Sequence, residues 1–91
     1  MLERTVKVLN PLGLHARAAA RLVKAVGKFK SVVMLVRADT GLRADAKSIL
    51  SVLYIAAACG TELSITVDGQ DEEEAMEMLT QLFNAGFEEL Q

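Results

Sequence analysis

Two stretches of the chain alternate between apolar and polar residues, which is the period of a half-buried β-strand. In residues 2–9, Val6 and Val8 fall on one side of the extended chain, and charged or hydroxyl residues fall on the other. In Glu62–Asp68 every second residue is apolar, namely Leu63, Ile65 and Val67. Each stretch is therefore predicted to form a strand with one buried face.

A β-hairpin is predicted between these two strands. Residues 31–37 are apolar and β-branched, residues 38–41 are the turn-forming sequence Ala-Asp-Thr-Gly, and residues 42–45 complete a short strand. Two strands separated by so short a turn are expected to pair in antiparallel fashion.

Two helices are predicted between the strands. Ala16–Val26 consists largely of strong helix formers and is followed by Gly27, a residue typical of the position after a helix. Ser48 precedes a second apolar run and is the expected N-cap of a short helix that ends at Gly60.

A third helix is predicted to begin at Asp71. Asp71 and Glu74 have the spacing of a capping box, and apolar residues recur three and four positions apart after them. These apolar residues are Ala75, Leu79, Leu82 and Phe83. The acidic run of residues 71–74 is then mainly a complement to the helix dipole and a solvated surface.

The predicted order β-α-β-β-α-β-α defines the fold class as α+β. We expect an open-faced β-sandwich, in which a four-stranded antiparallel sheet is covered on one face by three helices and faces solvent on the other. The chain has 91 residues, enough for one domain and too few for two. Residues 1–91 are therefore expected to form a single domain.

The composition excludes several classes of protein. No apolar run approaches the ~18 to 20 residues of a membrane span, and the charged start is unlike a secretory signal. We therefore expect a cytoplasmic protein without membrane association. The chain has one cysteine, Cys59, and one histidine, His15, so no internal disulfide, metal site or cofactor is expected. Cys59 is expected to be a small buried thiol.

Charge is segregated along the sequence. All ten Lys and Arg and three of the twelve carboxylates lie in residues 1–47, which gives that part a formal charge of +7 and the remainder −9. Such asymmetry favours steering of a charged partner, unless folding interleaves the two halves. Nucleic acid is a poor candidate partner, because aromatic residues are only 4% of the chain and do not alternate with the cations.

The only histidine, His15, lies where a strand gives way to a helix. Asn10, Pro11 and Gly13 break the preceding strand, and helix formers begin at Ala16. The first backbone N–H groups of a helix lack intrahelical partners and attract anions, phosphate in particular. The sequence therefore indicates a phosphate site at His15, with a purely structural histidine as the alternative.

The first turns of this helix carry cations, where the helix dipole favours carboxylates. Four cations spaced by four, three and four residues fall on one helix face and form a cationic ridge that leads from His15. They are Arg17, Arg21, Lys24 and Lys28. No carboxylate is near His15 in the sequence. A neutral imidazole can attack phosphorus, and the first N–H groups and Arg17 can stabilise the transferred group.

The segment NPLGLHARAAA resembles the active-site motif of the HPr family, the histidine-containing phosphocarriers of the bacterial phosphoenolpyruvate-dependent sugar phosphotransferase system. The segment AKSILSVLYIAAACGTELSITVDGQDEEEAMEML resembles the second half of the same family, so that the likeness covers essentially the whole chain. This resemblance implies that His15 accepts a phosphoryl group on Nδ1 from enzyme I. It also implies that His15 passes the group to a IIA component of a sugar permease.

The resemblance also assigns roles to the residues around His15. Arg17 is the implied phosphate partner, and the backbone amides of Ala16 and Arg17 are the implied phosphate-binding groups. Asn10, Gly13 and Leu14 match motif residues that shape the turn. At position 18, where the family often has proline, this chain has Ala18, which preserves the helix.

The resemblance assigns a regulatory and docking role to the second helix. Ser48 matches the family's regulatory seryl site, which implies an HPr kinase/phosphorylase as a partner, although Ser51 replaces a common glycine near it. The implied docking residues are Ile49, Leu50 and Leu53 on this helix, with Arg21, Lys24 and Lys28 of the cationic ridge as further candidates. Ser48 is also an ordinary N-cap, and part of the apolar patch must be core, because a helix buries one face.

The leading hypothesis is a monomeric phosphocarrier with small, transient interfaces, rather than an enzyme that turns over a small molecule. A nitrogen-regulatory paralogue of HPr is an alternative within the same class. A regulatory module in which His15 only lines an anion pocket, and a structural partner that uses only the apolar patch, are alternatives from other classes.

Overall fold

Four strands, three helices and one 3-10 turn make up the computed structural model, which describes residues 1–89. Along the chain they are β1 (Leu2–Lys7), α1 (Ala16–Val26), β2 (Val32–Arg37), β3 (Arg43–Asp45), α2 (Ile49–Tyr54), β4 (Glu62–Asp68), α3 (Glu72–Asn84) and the 86–88 turn (Gly86–Glu88). Within this described part, no helix has the length and apolar character that crossing a membrane requires.

The strands form one antiparallel sheet in the order β1-β4-β2-β3. β4 lies between β1 and β2, and its alternating apolar residues Leu63, Ile65 and Val67 are fully buried. The opposite face of the sheet is open, and it carries Val32, which is 58% exposed although it is apolar. The open-faced α+β sandwich predicted from the order of elements is confirmed.

The hydrophobic core lies between the sheet and the helices. α1 buries the face opposite its cationic ridge, with Ala18, Leu22 and Val26 at 0% exposure. α3 contributes Leu79 and Phe83, which are also fully buried. Helices with one apolar stripe can pack in this way on a sheet with one apolar face, and the burial of that surface stabilises the fold.

The structure confirms the predicted elements, and apart from the second helix their ends shift by no more than two residues. α1 and β4 have the predicted bounds, whereas β1 ends at Lys7 and β2 begins at Val32. β2 and β3 form the predicted hairpin. Gly27 follows α1 as expected, but its φ of −61° is right-handed, so it does not act there through the left-handed conformation.

The prediction that the second helix extends to Gly60 is wrong, because α2 ends at Tyr54. Arg37 of β2 explains the early end, since its Nη1 donates to the carbonyl oxygens of Ile55 at 2.8 Å and Ala56 at 3.0 Å. These bonds satisfy carbonyls that a longer helix would have used internally. Ala56 also has a φ of +48°, which cannot continue a right-handed helix.

The capping box predicted at Asp71 is also wrong. Asp71 precedes α3, but its side chain makes no bond to the helix start. Its carboxylate instead accepts hydrogen bonds from the backbone N–H groups of Lys30 at 2.8 Å and Ser31 at 2.9 Å, and from the Ser31 hydroxyl. Asp71 therefore ties the start of α3 to the loop before β2, a long-range contact that local spacing could not indicate.

Asp71 is expected to make the stability of the fold depend on pH. The hydrogen bond from the Ser31 hydroxyl, followed by those from backbone amides, lowers the pKa of Asp71 below its ordinary 3.8. This contribution is present above the ordinary pKa and is lost as the pH falls through the lower pKa of the folded state. An Asp71→Asn variant should therefore be less stable than wild type at pH 7, and the difference should shrink below pH 3.8.

Urea unfolding of both proteins at neutral and acidic pH measures this difference. Glu74→Gln is the matched control, because Glu74 is the exposed residue with which Asp71 was expected to form the capping box. It should change the midpoint little at either pH. A deficit of Asp71→Asn that is equally large at both values of pH would contradict the assignment.

Candidate functional site

His15 is the N-cap of α1, at the position expected from the sequence. Its backbone is extended, with φ −73° and ψ −179°, and its Nδ1 accepts a hydrogen bond from the Arg17 N–H at 3.3 Å. The first turn of α1 contains no acidic residue. The side chain is 25% exposed, so the imidazole is accessible to a partner while most of it is held against the protein.

The loop before α1 is built around Asn10 and Gly13. Asn10 is fully buried, and its side-chain Nδ2 donates to the Gly13 carbonyl oxygen at 2.6 Å. The backbone carbonyl oxygen of Asn10 accepts from the Gly13 N–H at 2.9 Å. Leu14 N–H donates to the Ala57 carbonyl oxygen at 2.8 Å. The loop is therefore fixed to itself and to the segment after α2, which sets the position from which His15 projects.

Gly13 is required in this loop for two reasons. Its φ of +69° is left-handed, and a Cβ at this position would lie 2.5 Å from the Ala57 carbonyl oxygen and 2.8 Å from the Ala58 Cα. Both atoms belong to the backbone and cannot rotate away. The motif glycine therefore permits the close approach of two loops beneath His15.

Glu89 belongs to the site, although no pattern in the sequence points to it. Its two carboxylate oxygens lie 2.9 and 3.0 Å from His15 Nε2, and Asn10 Nδ2 donates to one of them at 3.0 Å. The Arg21 guanidinium lies 3.9 Å from the other. No carboxylate is near His15 along the chain, but the fold brings this one to it from 74 residues away.

The environment of Glu89 favours its charged form. Its side chain is 12% exposed, and the hydrogen bond from His15, followed by the one from Asn10, lowers the pKa of Glu89. Arg21 contributes a smaller effect in the same direction. Glu89 is therefore a carboxylate in this structure and accepts hydrogen bonds without donating any.

The 86–88 turn brings Glu89 back to His15. Phe87 is fully buried and packs edge-on against Phe83, with ring centroids 4.9 Å apart. Phe87 and Glu88 have φ values of +55° and +64°, which are uncommon for residues other than glycine. An Arg21 Nη1 donates to the Phe87 carbonyl oxygen. Gly86, with a φ of +59°, is a local signal for the start of this turn, but the left-handed Phe87 and Glu88 depend on the pocket that receives Phe87.

The hydrogen bonds of His15 determine its tautomer. Nδ1 accepts from the Arg17 N–H, so Nδ1 carries a lone pair, whereas Nε2 faces the Glu89 carboxylate and must carry the proton. The bond to Nδ1 is long at 3.3 Å and therefore weak. An electrophile can displace it, after which the Arg17 N–H is available to the incoming group.

The cationic ridge is exposed along its whole length. Arg17, Arg21 and Lys24 lie on α1, and Lys28 lies two residues beyond its end. Within residues 1–89, the Arg17 guanidinium makes no hydrogen bond or ion pair, whereas Arg21 is held by Phe87 and Glu89. A groove of about 400 Å³ runs beside these arginines. It is lined by Pro11, Leu12, Arg17, Arg21, Glu88 and Glu89.

The ridge survives although folding interleaves much of the charge. β4, from the acidic half of the chain, pairs with both β1 and β2 from the basic half. The segregation seen in the sequence is thereby diluted in the sheet. It persists on α1, where exposed cations remain clustered next to His15.

The second helix begins at Ser48 as predicted. The Ser48 hydroxyl accepts a hydrogen bond from the Ser51 N–H at 3.3 Å, and the Ser51 hydroxyl accepts from the Asp45 N–H at 2.9 Å. No hydrogen bond in the described part of the chain connects Ser48 with His15. Ser48 is half-buried, so its hydroxyl is partly accessible.

The predicted apolar patch on α2 is exposed only in part. Leu50 is 77% exposed and Ile49 is 38% exposed, but Leu53 is half-buried and packs against the core. Tyr54 on the same helix is also exposed, at 68%, and so is Leu12 in the loop before α1, at 72%, although the sequence did not indicate either. Since α2 has one core-facing side, Leu53 belongs more to that side than to the docking surface.

Two other expectations concern Cys59 and metals. Cys59 is exposed rather than buried, with its Sγ 3.6 Å from the Leu9 carbonyl oxygen, because the loop before β4 faces solvent. Among residues 1–89, no three His, Cys, Asp or Glu side chains are grouped so that they could hold a metal ion.

Residues 2–85 match the protein family described as the PTS HPr component phosphorylation site. Over 89 residues, 98% of this chain and 99% of the relative, the chain is 49% identical to the phosphocarrier protein HPr of Treponema pallidum strain Nichols. It is 38% identical to the phosphocarrier protein NPr of Escherichia coli strain K12, with 96% of each chain covered.

A comparison with solved structures gives the same result for the fold. The structure superimposes on the crystal structure of HPr-C-His from Thermoanaerobacter tengcongensis with a TM-score of 0.92. The two sequences are 33% identical, and the match covers all of both chains. The likeness therefore includes the site region as well as the sheet.

Proposed function

The chain belongs to the HPr family of phosphocarrier proteins of the phosphotransferase system, and from this premise we propose that His15 accepts a phosphoryl group from enzyme I and passes it to a IIA component of a sugar transporter. The single observation that supports this most directly is the placement of His15. Its Nδ1 carries a lone pair at the N-terminus of α1, next to the guanidinium of Arg17, which has no hydrogen-bond or ion-pair partner within residues 1–89.

In the proposed reaction, the Nδ1 lone pair attacks the phosphorus of a phosphohistidine on the donor. The Nδ1–P bond forms as the P–N bond to the donor breaks, and the electron pair of the broken bond returns to the donor nitrogen. The charge on the transferred oxygens is stabilised by the N–H groups of Ala16 and Arg17 and by the Arg17 guanidinium. Delivery to the acceptor reverses these bond changes.

The cationic ridge is the proposed electrostatic contact with both partners. Arg21, Lys24 and Lys28 are exposed next to the site and would steer an acidic partner surface toward His15. Ile49 and Leu50 are proposed to add apolar contacts, with Leu53 supporting them from the core side. A small interface suits a carrier, because each partner must dissociate before the next one binds.

Phosphorylation with labelled phosphoenolpyruvate, enzyme I and magnesium tests the proposal. The wild-type protein should acquire label that is lost in acid and retained in base, as expected for phosphohistidine, and mapping should place it on His15. The label should then move to an added IIA component. A wild-type protein that takes up no label would eliminate the carrier function and leave the anion-binding module.

Ser48 is proposed as a second, regulatory phosphorylation site for an HPr kinase/phosphorylase. Its position at the start of α2 supports this, because a phosphate there faces a helix N-terminus and adds a charge of about −1.5 to −2 beside Ile49 and Leu50. That charge would weaken association with an acidic partner. Label on Ser48 would be stable in acid, which distinguishes it from label on His15.

A nitrogen-regulatory phosphorelay is the second candidate function. The 38% identity to the relative named NPr supports it, but the 49% identity to a relative named HPr favours the sugar system. Rates of phosphorylation by the sugar-system enzyme I and by its nitrogen-system counterpart decide between the two.

We propose a single-domain monomer as the working unit, since the groups that contact His15 within residues 1–89 come from the same chain. We also propose that it acts in the cytoplasm, together with these partners.

A further inference from the structure

We propose that Glu89 is a positioning residue for His15, which holds the ring proton on Nε2 so that Nδ1 remains the reacting nitrogen throughout acceptance and release of the phosphoryl group. The inference rests on the proposed function, which assigns the phosphoryl group to His15. It adds a residue outside the motif around His15, supplied by the opposite end of the described chain.

The contact is specific to one ring nitrogen. Both carboxylate oxygens of Glu89 lie within 3.0 Å of Nε2, whereas Nδ1 faces the Arg17 N–H. A carboxylate can only accept hydrogen bonds, so this geometry disfavours the tautomer with a lone pair on Nε2. The exchange of the proton to Nδ1 would leave two acceptors facing each other and would also block the nucleophile.

Asn10 holds the carboxylate in place. It is fully buried, and its Nδ2 bonds both the Gly13 carbonyl oxygen at 2.6 Å and Glu89 at 3.0 Å. These two acceptors fix the orientation of the amide, since a flipped amide would direct its oxygen at both of them. Asn10 therefore holds Glu89 against the same loop from which His15 projects.

The backbone provides an independent reason to regard the placement as built into the fold. Phe87 and Glu88 adopt left-handed φ values that cost free energy for residues with a Cβ. The burial of Phe87 against Phe83 offsets this cost, and the Arg21 bond to the Phe87 carbonyl fixes the turn. The next residue is then directed to His15.

The chemistry explains what the contact achieves. When Nδ1 attacks phosphorus, no proton leaves Nε2, and the ring gains a positive charge that the Glu89 carboxylate stabilises. When the group is delivered, the acceptor's nucleophile forms a bond to phosphorus as the Nδ1–P bond breaks, and the electron pair of the broken bond returns to Nδ1, which restores the neutral ring. Because Glu89 holds the proton on Nε2, the ring leaves as a neutral imidazole and not as an imidazolate anion.

Repulsion between Glu89 and the phosphoryl group is limited by position and by Arg21. The carboxylate binds the nitrogen on the other side of the ring from the phosphoryl group, and the Arg21 guanidinium lies 3.9 Å from it. The competing interpretation is that Glu89 obstructs the site. It would require contact with Nδ1, and Glu89 contacts Nε2.

The test compares Glu89→Gln with the neighbouring Glu88→Gln. Both remove one carboxylate from the same turn, but only Glu89 contacts His15. Nitrogen-15 NMR of the His15 ring, recorded on the unphosphorylated protein with the ring neutral, should show mainly the Nε2–H tautomer in wild type and in Glu88→Gln. Glu89→Gln should have a larger fraction of the Nδ1–H tautomer. Transfer from phosphorylated enzyme I should slow on the order of tenfold to a hundredfold in Glu89→Gln alone.

Three results would overturn the inference. These are an unchanged tautomer in Glu89→Gln, a transfer rate in Glu89→Gln equal to or faster than wild type, and an equal loss of rate in Glu88→Gln. Circular dichroism and urea unfolding of each variant test whether the fold is intact. The tautomer measurement needs no phosphoryl donor, so it can fail or succeed independently of whether the wild-type protein takes up label.

Discussion

A His15→Asn variant is expected to accept no detectable phosphoryl group from enzyme I, a loss of at least about 10³-fold, because the covalent nucleophile is removed. The amide nitrogen of asparagine has no available lone pair. Asparagine is also among the best N-cap residues, so it can bond the Arg17 N–H that Nδ1 now bonds, and α1 should begin at the same residue. The variant therefore separates the chemical role of His15 from its role at the helix start.

The measurement is transfer of label from phosphoenolpyruvate, together with thermal unfolding. The stability of His15→Asn should stay within about 1 kcal/mol of wild type, the usual size of a change at an N-cap. Arg43→Gln is the control, since it removes an exposed cation on β3, outside the proposed docking residues, and should still accept label. Retention of wild-type labelling by His15→Asn would show that another residue is the acceptor.

Replacing Gly13 with alanine is expected to destabilise the protein by about 3 kcal/mol or more. The left-handed backbone strains any residue with a Cβ, at roughly 1 to 3 kcal/mol. In addition, the new methyl group would lie 2.5 Å from the Ala57 carbonyl oxygen, and forcing atoms into packed space costs about 1 to 3 kcal/mol. Against a total stability of about 5 to 15 kcal/mol, this is a large loss.

Gly41→Ala is the matched control for this prediction. Gly41 also has a positive φ, +76°, but a Cβ there would meet no atom within 4 Å. Its loss should be limited to backbone strain, on the order of 1 to 2 kcal/mol. Urea unfolding at pH 7 gives both values. Equal losses in the two variants would show that the contact between the loop and Ala57 contributes nothing measurable.

Local patterns predicted most of the secondary structure, because they act within a few residues. The alternation in Glu62–Asp68 defined β4, and the run of helix formers before Gly27 defined α1. Prediction failed where a distant group competed with a local signal. Arg37 of β2 binds the carbonyls that end α2, and the Asp71 carboxylate binds the Lys30 and Ser31 amides instead of its own helix.

The candidate site was predictable on the side of Nδ1 but not on the side of Nε2. His15 and Arg17 are two residues apart, so their geometry follows from the start of the helix. Glu89 reaches Nε2 through a left-handed turn that depends on the burial of Phe87. The spacing of residues in the sequence contains no information about such a pocket.

The order of the elements, the family likeness and the place of His15 at a helix N-terminus all follow from residues that are near one another along the chain. The acidic group beside the imidazole does not. Glu89 lies 74 positions from His15, and the free energy of their contact depends on the packing of the whole core. The carboxylate at Nε2 and the close contact beneath Gly13 are products of that packing.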